Sequence, residues 1–435
     1  MTITIIGHGY VGLVTACVFA DFGNLVYVIG HTKEKIERLK NGDPLIYEPG
    51  LKELLEKNLK AKRVVFTLDY KKPLFHSDIV FIAVGTPSGS NGEADLSAVF
   101  AVAKKTAFNL KDEFTVVSCK STVPVGTNKK IEKIINTYKS KNARFAIVSC
   151  PEFLREGTGI YDTLNADRVV IGSASNKAID LLLKLHESIN GKKIITDLPS
   201  AELIKYASNA VLAMKISFAN LISFYCEKAG ADVENVLDAV GLDKRIGRIF
   251  MDPGVGYGGA CFPKDVKALI SIGNSLGLDP LLLEAVEKVN FQAKSNFLEK
   301  IIKDVKDKKI AMWGLSFKPN TDDIREAPSV FILQKLLDMG FEINVYDPAA
   351  QNNVKKVFRD KIKYFDNPID AVDGVSALII NTEWNEFKQI NLHEIKRRMK
   401  KAVIFDGRNI YSLTMMKNLG FVYYSIGRPG INTVV

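Results

Sequence analysis

Thr2-Ile3-Thr4-Ile5-Ile6-Gly7-His8-Gly9-Tyr10-Val11-Gly12 decides how the first half of this chain folds. A short apolar strand runs into GxGxxG, and an apolar helical segment opens near Val11. The glycines allow a tight turn and close backbone approach, while the helix start presents unpaired N–H groups to a pyrophosphate. Gly7, Gly9, Tyr10, Val11 and Gly12 are therefore expected to hold a dinucleotide. A glycine-rich turn without a ligand is the alternative, and the place of the motif at the first strand of an alternating chain argues against it.

Outward from this turn, short apolar runs alternate with amphipathic segments, the pattern of parallel strands joined by crossover helices. Strands are expected at residues 2–6, 26–29, 64–67, 79–84, 115–118, 146–149 and 169–171. The pattern then changes. Leu203, Tyr206, Ala207, Ala210, Val211 and Met214 recur at spacings of three and four, predicting one helix over residues 200–229 that ends near Gly230 and is about 45 Å long. A second α/β block opens at Lys309, with strands at 310–313, 343–346, 378–381, 403–405 and 423–426. The expected fold is α/β, with two Rossmann-like doubly wound domains joined by a long central helix. Its parts are a dinucleotide-binding domain over 1–198, a helical dimerisation domain over 199–300 and a ligand-binding domain over 301–435.

Composition narrows the function. A chain of 435 residues with 47% hydrophobic content can bury a large core, and its five cysteines are scattered, with no CxxC pair and few histidines to complete a metal site. A reduced, cytoplasmic protein without a metal is expected. The first strand leaves no room for a signal peptide, and Glu202, Lys205, Lys215 and Glu227 make the long helix too polar for a membrane span. The net charge of +10 is spread among acidic residues, so nucleic acid is not expected as a partner.

At the end of the second strand, Val28-Ile29-Gly30-His31-Thr32-Lys33 lacks the acidic residue that usually meets the adenosine ribose. Gly30 takes its place. Without a carboxylate to repel a 2′-phosphate, His31, Thr32 and Lys33 can contact one, and NADP stands beside NAD as the cofactor. A backbone group or water serving the ribose is the plainer alternative.

Gly254-Val255-Gly256-Tyr257-Gly258-Gly259-Ala260-Cys261-Phe262-Pro263-Lys264-Asp265 carries the chemistry. Four glycines let backbone crowd a ligand, and Cys261 sits where a helix begins, next to Lys264. Both neighbours favour the thiolate, the nucleophilic form. A lone cysteine is more often a small buried hydrophobe; the surrounding glycines and charges argue otherwise here.

With these residues the chain resembles the UDP-glucose dehydrogenase family, within the wider UDP-sugar and GDP-mannose dehydrogenases. The motifs run in order: GHGYVG at 7–12, IYEPGL at 46–51, VGTP at 84–87, KSTVPVGT at 120–127, PEFLREG at 151–157 and the Glu202–Tyr206 helix segment with Asn209. RIG at 245–247, GGACFPKD at 258–265, FKPNTDDIR at 317–325 and DGRN at 406–409 follow. The resemblance implies a four-electron oxidation of a UDP-sugar by a nicotinamide dinucleotide, with a Cys261 thiohemiacetal and thioester on the way to the uronate.

The remaining roles are those the resemblance implies. Lys205 and Asn209, four apart on one helix face, surround the reacting oxygen. Asp265 and Glu152 relay protons through water, and Thr122 helps hold that water. Phe153, Leu154, Arg155 and Glu156 contact the sugar, and Glu156 also reaches the cofactor. Phe250, Met251, Asp252, Pro253, Gly254 and Gly258 wrap the nucleotide, which Lys318 and Arg408 hold. Arg245 reaches the substrate of a neighbouring subunit, so a homodimer or larger homo-oligomer is expected. Lys35, Thr86, Lys264 and Arg325 join Gly30 at the cofactor. Cys119 and Cys150 stand where the family commonly has asparagine, and both are expected to pack. The same chemistry on a UDP-N-acetylhexosamine or GDP-mannose is the alternative enzyme reading. A non-catalytic nucleotide-sugar-binding protein is the alternative from another class, and the joint presence of Cys261, Lys205, Asn209, Asp265 and Glu152 argues against it.

Overall fold

The computed structural model describes residues 1–89 and 91–431, which divide into two compact units, one within residues 1–208 and 267–276 and the other within residues 209–266 and 277–431. The first unit is built on eight strands: β1 (Thr2–Ile6), β2 (Leu25–Ile29), β3 (Val64–Thr67), β4 (Ile79–Ile82), β5 (Phe114–Cys119), β6 (Arg144–Ser149), β7 (Arg168–Gly172) and β8 (Lys192–Thr196). They lie in the order β3-β2-β1-β4-β5-β6-β7-β8. The chain reverses direction once, between β1 and β4, which is the doubly wound arrangement.

Both faces of this sheet are covered. Phe81 packs with Leu13, Leu51 and Leu182 in one core, while its neighbours Val80 and Ile82 pack with Val99, Ala103 and Ile131 in the other. Side chains alternate across a strand, so a strand buried on both sides must be apolar at every position. Each such side chain contributes about 1.5–3 kcal/mol on burial.

Two features of this sheet differ from the expected pattern. β7 meets β6 antiparallel, through Ser149 and Gly172. The intervening residues form a loop and the six-residue helix Gly159–Leu164, and the chain turns back instead of crossing over. β8, read as Lys192-Lys193-Ile194-Ile195-Thr196, escaped notice because it is a half-exposed edge strand with lysines, where the apolar signal is weak.

The second unit repeats the architecture with β9 (Lys309–Trp313), β10 (Glu342–Tyr346), β11 (Lys363–Tyr364), β12 (Ala377–Ile380), β13 (Val403–Asp406) and β14 (Val422–Tyr424). All pairs are parallel, in the order β11-β10-β9-β12-β13-β14. Ile310 and Met312 face one core; Ala311 and Trp313 face the other. The two-residue β11 was not expected.

The helix Leu198–Ala229 is continuous over 32 residues and is followed by Gly230 at φ 73°, the left-handed conformation that closes a helix. Contrary to the expectation that its charges exclude it, this helix is long and apolar enough by composition to cross a membrane. The core helix of a globular protein passes the same test. Here Glu202 is buried and accepts the Gly126 and Asn128 N–H groups at 2.6 and 2.7 Å, capping the helix Thr127–Tyr138.

Candidate active site

In the first unit the GxGxxG turn is as tight as its sequence demands. Gly7 has φ 125°, and a Cβ there would lie 2.2 Å from the Ala83 carbonyl oxygen. No larger residue fits. Around Gly9, by contrast, a Cβ would meet nothing within 4 Å, so that side of the turn is open. The helix Tyr10–Asp21 starts with no side-chain cap and no acid in its first turn, leaving its N–H groups available to an anion. A pyrophosphate fits this donor set.

Tyr10 leads from the turn to the PEFLREG loop. Its phenol donates to Glu48 Oε2 at 2.5 Å and to the Arg155 carbonyl at 3.0 Å. Glu48, 7% exposed, also accepts the Gly157 N–H at 2.6 Å and the Ile160 N–H at 3.3 Å. Burial, then the Glu48 carboxylate, pushes the Tyr10 phenol well above the usual tyrosine range. Glu48 lies in the IYEPGL motif, yet no role was assigned to it: its spacing signals nothing, and its loop partners Gly157 and Ile160 are 109 and 112 residues away along the chain.

The same loop places Glu152 beside Lys205. Lys205 Nζ lies 3.0 Å from Glu152 Oε1, both side chains being buried, and Glu152 Oε2 accepts the Leu154 N–H at 2.5 Å. Lys205 Nζ also stands 5.4 Å from the centre of the Phe153 ring, over which the Arg168 guanidinium sits at 3.9 Å. Arg155 is exposed and forks onto Asp162 at 2.6 and 3.0 Å, closing its own loop. Thr86 is buried and donates to the Thr122 carbonyl at 2.9 Å, while Lys35 is exposed. Cys119 and Cys150 are buried thiols, and burial pushes Cys119 up to about 12.

In the second unit Cys261 is exposed, immediately before the helix Phe262–Ser275. One turn on, the Asp265 N–H donates to the Cys261 carbonyl at 2.8 Å. The Asp265 carboxylate, 1% exposed, accepts Asn209 Nδ2 at 2.6 Å and Lys264 Nζ at 2.5 Å. A buried carboxylate with an amide on one oxygen and an ammonium on the other is held in one orientation. Asn209 follows Lys205 by four residues on the continuous helix.

The glycine run before Cys261 is packed against backbone. A Cβ on Gly258 would lie 2.4 Å from the Glu326 carbonyl oxygen, and one on Gly259, at φ 83°, would lie 2.7 Å from the Phe317 ring. Upstream, the Gly254 N–H donates to Asn220 Oδ1 at 2.8 Å, a long-helix contact that sequence reading missed. Phe250 has φ 64°, Met251 and Pro253 are buried, and Asp252 is exposed and pairs with Arg248 at 2.8 Å.

Arg408 reaches across to this loop. Its Nε donates to the Asn381 carbonyl at 2.7 Å, and a Cβ on Gly254 would lie 3.0 Å from its Nη1. Lys318 is half-buried, 5.8 Å from the Phe317 ring centre. Arg325 forks onto Asp323 at 2.6 and 2.9 Å, and Arg245 onto Asp243 at 2.6 Å. Within its own unit each structure therefore gathers the expected residues into a cluster: Glu152, Phe153, Leu154 and Lys205 in the first, Asn209, Lys264 and Asp265 in the second. Glu156 is half-buried in the loop that Glu48 anchors.

Comparison with known proteins follows this division of labour. Residues 1–190 match the NAD binding domain of the UDP-glucose/GDP-mannose dehydrogenase family, 199–292 its central domain and 311–413 its UDP binding domain. The chain is 45% identical over 432 residues to UDP-glucose 6-dehydrogenase TuaD of Bacillus subtilis, covering 99% of this chain and 94% of that one. The structure of a UDP-glucose dehydrogenase from Pyrobaculum islandicum superposes with a TM-score of 0.91 at 36% identity, covering 98% of both chains. That of a UDP-D-ManNAc dehydrogenase from Pyrococcus horikoshii gives 0.85 at 28% identity, covering 98% of this chain and 99% of the other.

Proposed function

Since this chain belongs to the UDP-glucose/GDP-mannose dehydrogenase family, we propose that it oxidises C6 of UDP-glucose to the carboxylate of UDP-glucuronate, through a covalent intermediate on Cys261. The observation that carries the mechanism is the exposed thiol one turn before a buried, doubly engaged Asp265. The greater identity to UDP-glucose dehydrogenases than to the acetylated-sugar enzyme supports the choice of sugar.

A nicotinamide dinucleotide, NAD or its 2′-phosphorylated form, would supply one two-electron oxidation when bound, and a second molecule taking its place would supply the other. It would be held by Gly7, Gly9, Tyr10, Val11 and Gly12, with Gly30, Lys35, Thr86, Thr122, Glu156, Lys264 and Arg325 around it. The chain's own residues do the rest. Lys205 stabilises negative charge on the C6 oxygen as its proton departs. Once C6 is an aldehyde, the Cys261 thiolate adds to it, forming a C–S bond and a hydroxyl, and the reactive carbonyl cannot escape. The second oxidation turns this thiohemiacetal into a thioester. Water held by Asp265, Glu152 and Thr122 then attacks C6, the C–S bond breaks, and the thiolate leaves as the carboxylate forms. Asn209 orients Asp265 and the sugar oxygen.

Phe153, Leu154, Arg155, Phe250, Met251, Asp252, Pro253, Gly254, Gly258, Lys318 and Arg408 are the proposed substrate contacts. Functionally the parts are residues 1–198 for the dinucleotide, 199–300 for assembly and 301–435 for the UDP end. A homodimer is supported by Val211, Phe218 and Tyr225, which are 50%, 46% and 67% exposed and recur every seven residues along the long helix. In such a dimer the exposed Arg245 is available to the partner's substrate. We place the enzyme in the cytoplasm, where its five cysteines, all thiols, would stay reduced.

The test is to count reduced nicotinamide per limiting UDP-glucose. About two per sugar, as a four-electron oxidation requires, supports the proposal. No reduction with UDP-glucose, acetylated or GDP-linked sugars would leave a nucleotide-sugar-binding protein in its place.

A further inference from the structure

At the end of β2 the first unit departs from what a bare ribose requires. The Gly30 N–H donates to the Thr67 carbonyl at 3.0 Å, and a Cβ on Gly30 would lie 2.5 Å from Ile36 Cδ1 and 3.1 Å from His8 Nδ1. The strand end is thus closed by a buried isoleucine and an imidazole, where a dinucleotide domain ordinarily carries a carboxylate for the ribose hydroxyls. His8 is 7% exposed and its Nδ1 has no hydrogen-bond partner. An orphaned polar atom of this kind calls for a ligand or another explanation.

Basic groups gather beside it. The rings of His8 and His31 are 5.0 Å apart, tilted by 51°. Burial, then the charges of His31 and Lys35, lowers the His8 pKa below the usual range. Asp69, beyond the end of β3, accepts the Lys71 and Lys72 N–H groups at 3.1 Å as a helix cap. Glu34 lies exposed in the first turn of the helix Lys33–Lys40.

We infer that the adenosine end of this site accepts a ribose 2′-phosphate, with His8, His31 and Lys35 as the residues that hold it, so that NADP binds at least as well as NAD. The inference rests on reading the first unit as the dinucleotide domain. A dianionic phosphate gains charge-assisted hydrogen bonds from these groups and meets no carboxylate at Gly30.

Equilibrium binding of NADPH and NADH to the full-length chain, read by nucleotide fluorescence without sugar, tests it. NADPH should bind with a dissociation constant equal to or below that of NADH. His31→Ala, at an exposed position, should weaken NADPH by about ten-fold and leave NADH within about two-fold. Weaker binding of NADPH than of NADH by the parent chain, or equal losses for both nucleotides in His31→Ala, would overturn the inference. Binding of neither nucleotide would instead overturn the dinucleotide reading itself.

Discussion

Lys205 and Glu152 form an ion pair buried inside the first unit, Nζ to Oε1 3.0 Å, with 5% and 7% of their side chains exposed. The pair joins the long helix to the PEFLREG loop, so its loss has two separable effects. Glu152→Gln removes the charge opposite Lys205 and should cost about 3 kcal/mol of stability and at least about a hundred-fold in turnover. Lys205→Met with Glu152→Met should regain most of the stability, because an apolar pair replaces a buried ionic one, and none of the turnover. Urea unfolding beside steady-state kinetics separates the two. A Glu152→Gln protein as stable and active as its parent would show that the pair does neither job.

The Asp265 carboxylate is gripped by Asn209 at 2.6 Å and Lys264 at 2.5 Å. Asp265→Asn should slow thioester hydrolysis more than either oxidation. Intact-protein mass after mixing with UDP-glucose and dinucleotide should then show a chain carrying the substrate, and Cys261→Ala should abolish that adduct. An Asp265→Asn enzyme that turns over normally, with no adduct, would remove Asp265 from the hydrolytic step.

Glu48 ties Tyr10 to the Gly157 N–H through one oxygen, at 2.5 and 2.6 Å. Glu48→Gln can accept only part of this network and should cost about 1–3 kcal/mol. Its KM for UDP-glucose should rise several-fold more than kcat falls, since the residue positions a binding loop and touches no reacting atom. Tyr10→Phe should show the same split to a smaller degree. Equal effects on kcat and kcat/KM, with KM unchanged, would contradict a positioning role.

His186 reports on acid stability. It is buried edge-on against Phe19 at 5.3 Å, with Nδ1 2.8 Å from the Leu182 carbonyl oxygen, and burial first, then Lys120, holds its pKa down to about 3. An unfolded histidine titrates at about 6.5. As pH falls through that value the unfolded chain takes a proton that the native state refuses, so stability is full above it and declines toward pH 3. The decline is up to about 1.4 kcal/mol per pH unit. His186→Phe should flatten the pH dependence of the urea midpoint between about pH 5 and 6.5. An unchanged slope would show that His186 is not its source.

Local sequence determined the elements and the turn. Apolar runs on fully buried strands, a helical period over thirty residues and the GxGxxG turn are properties of neighbouring residues, and neighbours are what a sequence displays. The Cys261 helix start was legible for the same reason. Only the tertiary structure decided which charges meet. Glu48 finds Gly157 across 109 residues, Asn209 finds Asp265 across 56, and Arg325 forks onto Asp323 two residues away. The antiparallel entry of β7 and the edge strand β8 belong to the same class. Partner choice depends on burial and on the backbone path between distant segments, and neither leaves a periodic trace along the chain.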